Sequence, residues 1–401
     1  MFRKILSVFL AAVFLLGIVF TFIKPAEDYD FEEYGDIVAD GAGSEVFAEP
    51  EQPDYIVSSL PGGDGDDPPG LPPGLLPGGR NYGQENRFVP DEVLAPADSQ
   101  EHAEQIASAY GLELKSYAYG IAVLLTTDPE SEVARSASMS LEDIPELSLN
   151  FVYELFEVSY STGERERSAL NEPENDSTLM SESGQWHRAE MDIDRAHALA
   201  TGEGVIVAVI DTGIDPDHPA FTGRILENSY NSHTNEIGLA FVQDDNKHGT
   251  HVSGIIAAAR DITNDVVGTA PDAEIMTIKA NNPEDTGAFR GESILRGINY
   301  AVDKGAKIIN MSLGRPFIYG PSDAEHKVII NAVNKGVLVV CSAGNNRDSN
   351  AGYPAAYPEA VAVSATRQSY KFEYQYSNYG PQIEISAPGT NIFRQKSAED
   401  I

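Results

Sequence analysis

Three polar residues stand where neighbouring apolar runs could press them into chemistry. Asp211 ends the run "GVIVAVID", His248 opens "HGTHVSGIIAAAR", and Asn345 follows "VLVVCSAG". A carboxylate at the end of a buried strand is costly unless something pairs with it. An imidazole is a suitable partner, because a carboxylate can fix its tautomer and stabilise the imidazolium formed in proton transfer. A helix N-terminus disfavours a cationic ring, and the carboxylate would offset that. The Asn345 amide could donate to a developing oxyanion. Taken singly, each residue has a plainer use: Asp211 as a turn cap, His248 as a helix start, Asn345 as a left-handed turn residue. Their order and their places at strand ends and at a helix start favour the chemical reading, since open α/β sheets put their sites there.

The elements that must position them follow from residue 185 onward. "GVIVAVID", "AEIMTIKA", "AKIINMSLG", "VLVVCSAGN", "AVAVSAT" and "IEISAPG" read as strands. "THVSGIIAAAR", "GESILRGINYAVDKG" and "AEHKVIINAVNKG" have helical spacing. Strands alternating with helices imply an α/β fold with a doubly wound parallel sheet. Cys341, the single cysteine, lies inside an apolar run and reads as a small buried side chain.

"VAVIDTGIDPDHPAF", "HGTHVSGIIAA", "IINMSLG" and "VVCSAGNN" together resemble the subtilisin-like serine proteases, over about Trp186 to Thr390. The resemblance implies peptide-bond hydrolysis in which Asp211 orients His248, His248 is general base and then general acid, and Asn345 donates to the oxyanion. It implies that Ser312, Leu313 and Gly314 form an edge strand for substrate backbone, a β-augmentation mode. Ser342, Ala343 and Gly344 would be the second wall of a roomy pocket suited to large apolar side chains.

Two features depart from the family pattern. Ala220 stands where many relatives carry a calcium-binding Asp, so calcium as a structural ion is an open expectation with no assigned ligands. Asp244 and Asp245 are an acidic pair that could hold a metal elsewhere, although metal sites need several converging oxygens. His248 and His251 are spaced as metal ligands can be, with no third ligand at zinc-site spacing. The second departure concerns the nucleophile. The family's serine sits in a Gly-Thr-Ser motif soon after the "APG" loop, here Ala387 to Gly389. The Gly-Thr pairs at Gly249, Gly268 and Gly389 are followed by His251, Ala270 and Asn391. Ser397 lacks the motif's context. The expectation is therefore a subtilase truncated before its serine, inactive as written and poorly stable. The alternative is an inactive relative that binds extended peptides. A weaker third reading is an acidic display protein whose spacer is the functional part.

The remaining chain favours export and argues against a nucleic-acid role. The net charge of −35 argues against nucleic-acid binding. Arg3 and Lys4 precede an uncharged run from Ile5 to Ile23, long enough to span a membrane. Residues 1–26 thus read as a signal anchor or a signal peptide, leaving the rest anchored outside or secreted. Residues 27–86 are acidic and rich in Pro and Gly, a spacer unable to bury a core. Residues 87–158 show a β-α-β-β-α-β order, a small ferredoxin-like α+β module, with Asp98 and Glu101 as a capping box and Gly111 as a helix stop. Its position and "ELKSYAYGIAVL" resemble an inhibitory prodomain, which implies an intramolecular partner for the protease-like part. Residues 159–184 are a polar connector exposed to proteolysis, and residues 185–401 form the α/β domain.

Overall fold

The computed structural model describes residues 87–139, 144–155, 185–260, 267–284, 288–368, 370–390 and 392. The proposed membrane segment, spacer and connector lie outside them. Among the described residues no helix is long and apolar enough to cross a membrane.

The N-terminal module runs β1 (Phe88–Pro96), α1 (Gln100–Tyr110), β2 (Glu113–Ala118), β3 (Ile121–Leu125), α2 (Pro129–Ser138) and β4 (Ser148–Leu155). The strands are antiparallel in the order β4-β1-β3-β2, matching the ferredoxin-like expectation. "ELKSYAYGIAVL" is a hairpin: Tyr119 and Gly120 both take positive φ (44° and 80°) between β2 and β3. The cap of α1 is displaced from the sequence expectation. Ser99, in extended conformation, accepts the His102 N–H at 3.1 Å, while Asp98 stays outside the helix. Gly111 ends α1 at φ 68°, as expected.

The C-terminal domain continues with α3 (Trp186–Glu190), α4 (Ile193–His197), β5 (Ile206–Asp211), β6 (Tyr230–Asn231), β7 (Glu236–Ile237), α5 (His248–Ala257), β8 (Glu274–Lys279) and β9 (Ala288–Arg290). Then come α6 (Gly291–Asp303), β10 (Ile308–Met311), β11 (Leu313–Gly314), α7 (Asp323–Asn334), β12 (Leu338–Ser342), β13 (Val361–Arg367), β14 (Lys371–Phe372) and β15 (Ile385–Pro388). The main sheet has the order β14-β13-β12-β10-β5-β8-β6-β7, with β15 beside β13. Its centre, β13-β12-β10-β5-β8-β6, is parallel, and the short strands β7 and β14 pair antiparallel at its ends. Parallel strands are covered on both faces, which is why β5 carries Val207, Ala208, Val209 and Ile210 without a polar interruption. One face packs under α6 and α7 (Ile294, Ile298, Ile329), the other around Ile256 of α5 with Val205 and Ile275.

Module and domain share a core. Leu94, Ile121, Phe151 and Tyr153 of the module belong to the same buried cluster as Ile294, Leu313 and Ile329. The β2–β3 turn adds to it: the Tyr119 ring stands edge-on to Tyr230 and Tyr300, 5.0 Å from each, and Asn299 Nδ2 donates to the Tyr119 carbonyl at 2.8 Å.

Candidate active site

The parallel arrangement sets Asp211 at the C-terminal tip of β5, in register with Lys279 at the tip of β8. Asp211 is fully buried, and α5 begins at His248. His248 Nδ1 lies 2.7 Å from Asp211 Oδ1. A carboxylate at that distance holds the ring proton on Nδ1 and leaves the Nε2 lone pair for proton acceptance. The same Asp211 oxygen accepts the Thr212 N–H at 2.7 Å.

A second carboxylate fixes the two elements against each other. Thr212 Oγ1 accepts the Gly249 N–H at 3.0 Å and donates to Asp244 Oδ1 at 2.8 Å. Asp244 Oδ1 also receives the N–H groups of Asn246 and Lys247 at 3.0 and 2.9 Å. Its Oδ2 receives the Thr250 N–H at 2.8 Å and the Thr250 hydroxyl at 2.6 Å. Asp244 thus satisfies first-turn donors of α5 that Lys247, a left-handed N-cap without a side-chain bond, leaves open. Burial opposes its ionisation. The bonds from Thr250, Asn246 and Thr212 outweigh that and hold its carboxyl below the usual value. The crossing is close: a β-carbon on Gly249 would lie 2.1 Å from the Gly213 carbonyl oxygen, so no side chain fits there.

Asp245 accepts from Lys279 Nζ at 2.9 Å and from Asn281 Nδ2 at 2.8 Å. Lys279 Nζ reaches on to the Thr212 carbonyl at 2.7 Å, which ties the Asp211 loop to β8. The acidic pair is therefore engaged by protein donors and does not fit a calcium ion as it stands. Ala220, fully buried, offers no side-chain oxygen either. Among the described residues no three His, Cys, Asp or Glu side chains converge as a metal site. Burial pushes the Cys341 thiol well up, with Glu325 adding to the effect, so it stays a protonated core side chain.

Asn345 follows Gly344, which has φ 113°. The loop around it is gripped by Asn378, a buried residue that the sequence did not single out. Asn378 Oδ1 accepts the N–H groups of Asn346 and Asp348 at 2.9 and 3.1 Å. Its Nδ2 donates to the Ala343 carbonyl at 3.0 Å, and its own N–H donates to the Gly344 carbonyl at 2.8 Å. The Ser342–Gly344 segment is half to fully buried, with the Ala343 N–H bonded to the Val363 carbonyl at 2.9 Å.

The Leu313–Gly314 edge carries a strand, and the strand is the chain's own. β4 pairs antiparallel with β11, Leu155 opposite Leu313 and Glu154 opposite Gly314. On its other side β4 pairs with β9, Val152 opposite Arg290 and Glu154 opposite Ala288. An extended segment of the module is thus held between two strands of the C-terminal domain. β9 was missed in the sequence; three residues carry too little pattern to be seen. Lys279 and Asn378 were missed as organisers because they tie together residues distant in sequence, and Asp244 because its bond to Thr212, 32 residues away, forms only in the fold.

Comparison with known proteins bears on the family and the fold. Residues 202–400 match the model of the subtilase family, Peptidase_S8. The major intracellular serine protease of Bacillus subtilis is 39% identical over 198 residues, 48% of this chain and 60% of that protein. The M-protease of Shouchella clausii is 32% identical over 299 residues, 73% of this chain and 70% of that protein. The chain thus spans about three-fifths of the length of the intracellular protease. The crystal structure of fervidolysin from Fervidobacterium pennivorans, a keratinolytic enzyme related to subtilisin, superposes with a TM-score of 0.58 at 24% identity, over 79% of this chain and 51% of that one. That likeness speaks for the fold. With the M-protease, 32% identical, covered over 70% of its length, the chain belongs to the subtilase family.

Proposed function

We propose that the site is that of a serine endopeptidase, and the observation that carries this is the 2.7 Å contact between Asp211 Oδ1 and His248 Nδ1. His248 Nε2 takes the proton of a serine hydroxyl as its oxygen adds to the peptide carbonyl. It then returns that proton to the departing amine, while Asp211 stabilises the imidazolium between the two steps. Asn345 donates to the oxyanion, and the Gly344–Asn378 contacts keep its loop in place. Leu313 and Gly314 bind substrate backbone, with Ser312 preceding them and Ser342 to Gly344 walling the pocket. The 401 residues contain no Gly-Thr-Ser. On this reading they hold the general base and the peptide cleft but do not turn over by themselves.

The module of residues 87–158 is the intramolecular inhibitor of this cleft. What supports that is the antiparallel seat of β4 on both β11 and β9. Main-chain pairing of this kind binds any extended peptide, so the module excludes substrate by occupying its place. What supports a location outside the cytoplasm, anchored or secreted, is the apolar run Ile5 to Ile23 in the sequence.

The test is to read the coding DNA through the Ile401 codon and assay two products on a fluorogenic peptide. A product that includes an in-frame Gly-Thr-Ser segment should cut the peptide and lose that activity on His248→Ala. The 401-residue product should not cut it. A motif-bearing, folded product that leaves peptides intact refutes the endopeptidase reading.

A further inference from the structure

A second ion pair is more fully buried than the Asp211–His248 couple, whose imidazole keeps some exposure. Arg315 and Glu325 are both fully buried and joined at 2.7 Å, Arg315 Nη2 to Glu325 Oε2. Such a pair is not a reason for stability on its own, because desolvation opposes it. Its surroundings indicate what it does. Glu325 lies in the first turn of α7 and Arg315 directly follows β11, so both stand beside the peptide edge. Glu325 Oε2 also accepts the Tyr357 hydroxyl at 2.7 Å. That oxygen is thus satisfied from within the C-terminal domain.

The other oxygen faces the bound strand. Glu325 Oε1 accepts the hydroxyl of Tyr153, on β4, at 2.6 Å. The guanidinium of Arg315 lies 5.5 Å from the Tyr153 ring centroid and 4.7 Å from that of Tyr353. Arg315 is held in turn by the Gly320 carbonyl, and its backbone exchanges hydrogen bonds with Tyr353 at 2.8 and 2.9 Å. The pocket therefore has an aromatic wall, a cationic face and one carboxylate oxygen aimed at a donor. Burial, with Glu325 close by, pushes the Tyr153 hydroxyl well up, so it remains a donor.

We propose that this pocket, built from Arg315, Glu325, Tyr353 and Tyr357, selects a tyrosine side chain in any extended peptide bound along Leu313–Gly314, two residues before the one opposite Leu313. This rests on the reading of that edge as the peptide cleft, with β4 as its internal occupant. Phenylalanine fills the ring space but leaves Glu325 Oε1 buried without its donor. An acidic side chain meets Glu325, and a basic one meets Arg315. A site built to bond a hydroxyl rejects the analogue without it more strongly than an apolar pocket rejects a missing methylene.

The experiment uses the full chain with Tyr153→Ala and Glu154→Pro, which empties the pocket and breaks the main-chain pairing that seats β4 on Gly314 and Ala288. It is titrated with a fluorescein-labelled peptide of the sequence Asn-Phe-Val-Tyr-Glu-Leu and with its Tyr-to-Phe analogue. We expect the tyrosine peptide to bind about tenfold tighter or more. The gap should close when Arg315 and Glu325 are both replaced by Leu. Equal binding of the two peptides, lost for both on Gly314→Pro, overturns the selectivity and leaves the cleft reading intact. Failure of both peptides to bind, or binding indifferent to Gly314→Pro, overturns the cleft reading and the inference with it. Should that double variant not fold, hydrogen exchange in the Tyr153→Phe chain decides the matter. Amides of Val152 to Leu155 should then exchange about tenfold faster than in the wild type, and unchanged exchange overturns the proposal.

Discussion

A β-carbon on Gly344 would stand 2.5 Å from Nδ2 of Asn378. The bare backbone of one residue is thus what admits the side chain of the other, and Asn378 uses that space to bond three loop residues around Asn345. Gly344 also sits at φ 113°, where a side chain is strained in any surroundings. Gly344→Ala should cost about 1–3 kcal/mol from backbone strain alone. Asn378→Ala should cost a similar amount, about 1–3 kcal/mol, by leaving the Asn346 and Asp348 N–H groups without their acceptor. Urea denaturation reads both, and hydrogen exchange at those two amides should rise in the second. Unchanged midpoints in both variants would remove the loop-anchoring role of Asn378.

Asp211→Asn keeps the shape of the couple and changes its proton. The carboxylate accepts from Nδ1, whereas an amide can offer an N–H to Nδ1 and drive the ring proton to Nε2. Nitrogen-15 spectra of the imidazole should show the protonated nitrogen of His248 switching from Nδ1 to Nε2. In a product that carries the serine, turnover should fall about 10⁴-fold, the size known for the same exchange in the serine-protease template. A variant whose tautomer does not change would contradict the orienting role.

What was legible in the sequence, and what was not, divides by the range of the interactions. Asp211 and His248 could be found because each sits inside a local pattern, an apolar run or a helix start, that also sets its position in the fold. The ferredoxin-like order of the module was legible for the same reason. Ser99 displaced Asp98 as the cap of α1 because both residue types can cap and only the backbone decides between neighbours. The pairing of Leu155 with Leu313 joins residues far apart in sequence and leaves no periodic mark on either. Asp244 was read as half of an acidic pair. Its work depends on Thr212 and Thr250 converging from two elements, which only the folded chain brings about.

Asp244 should also leave a signature in acid. Its folded carboxyl is held below the ordinary value of 3.8, so the folded state takes up its proton later than the unfolded chain does. The stability it contributes is fully present above that ordinary value and is lost as pH falls through it towards the folded value. Asp244→Ala should lower stability at pH 7 by about 0.5–2 kcal/mol, as loss of a cap does. It should also flatten the decline of Tm between pH 5 and pH 2 on the scale of one carboxylate's titration. A decline as steep in the variant as in the wild type would mean that other carboxylates carry the acid sensitivity.

The junction between module and domain should respond to pH in the opposite sense. Glu292, in the first turn of α6, is buried against the module, where Asn150 of β4 accepts its N–H at 3.1 Å. Burial, and then the nearby Glu92 of β1, pushes its carboxyl up, while Asn150 and Arg296 oppose the shift. Glu92 itself is held by Lys115 of β2 and by Asn150 Nδ2 at 2.7 Å, with Arg290 of β9 at 3.9 Å. A carboxyl raised in the folded state contributes stability that is full below its unfolded value and lost as pH rises through the folded one. Docking of the module should therefore weaken as pH rises, which on the zymogen reading loosens β4 from the cleft. Glu292→Gln keeps the neutral shape at every pH. Its Tm should match the wild type below pH 4 and exceed it progressively above, and the amides of β4 should be better protected in the variant at pH 8. Parallel Tm curves for the two proteins across that range would show that Glu292 does not titrate within the junction.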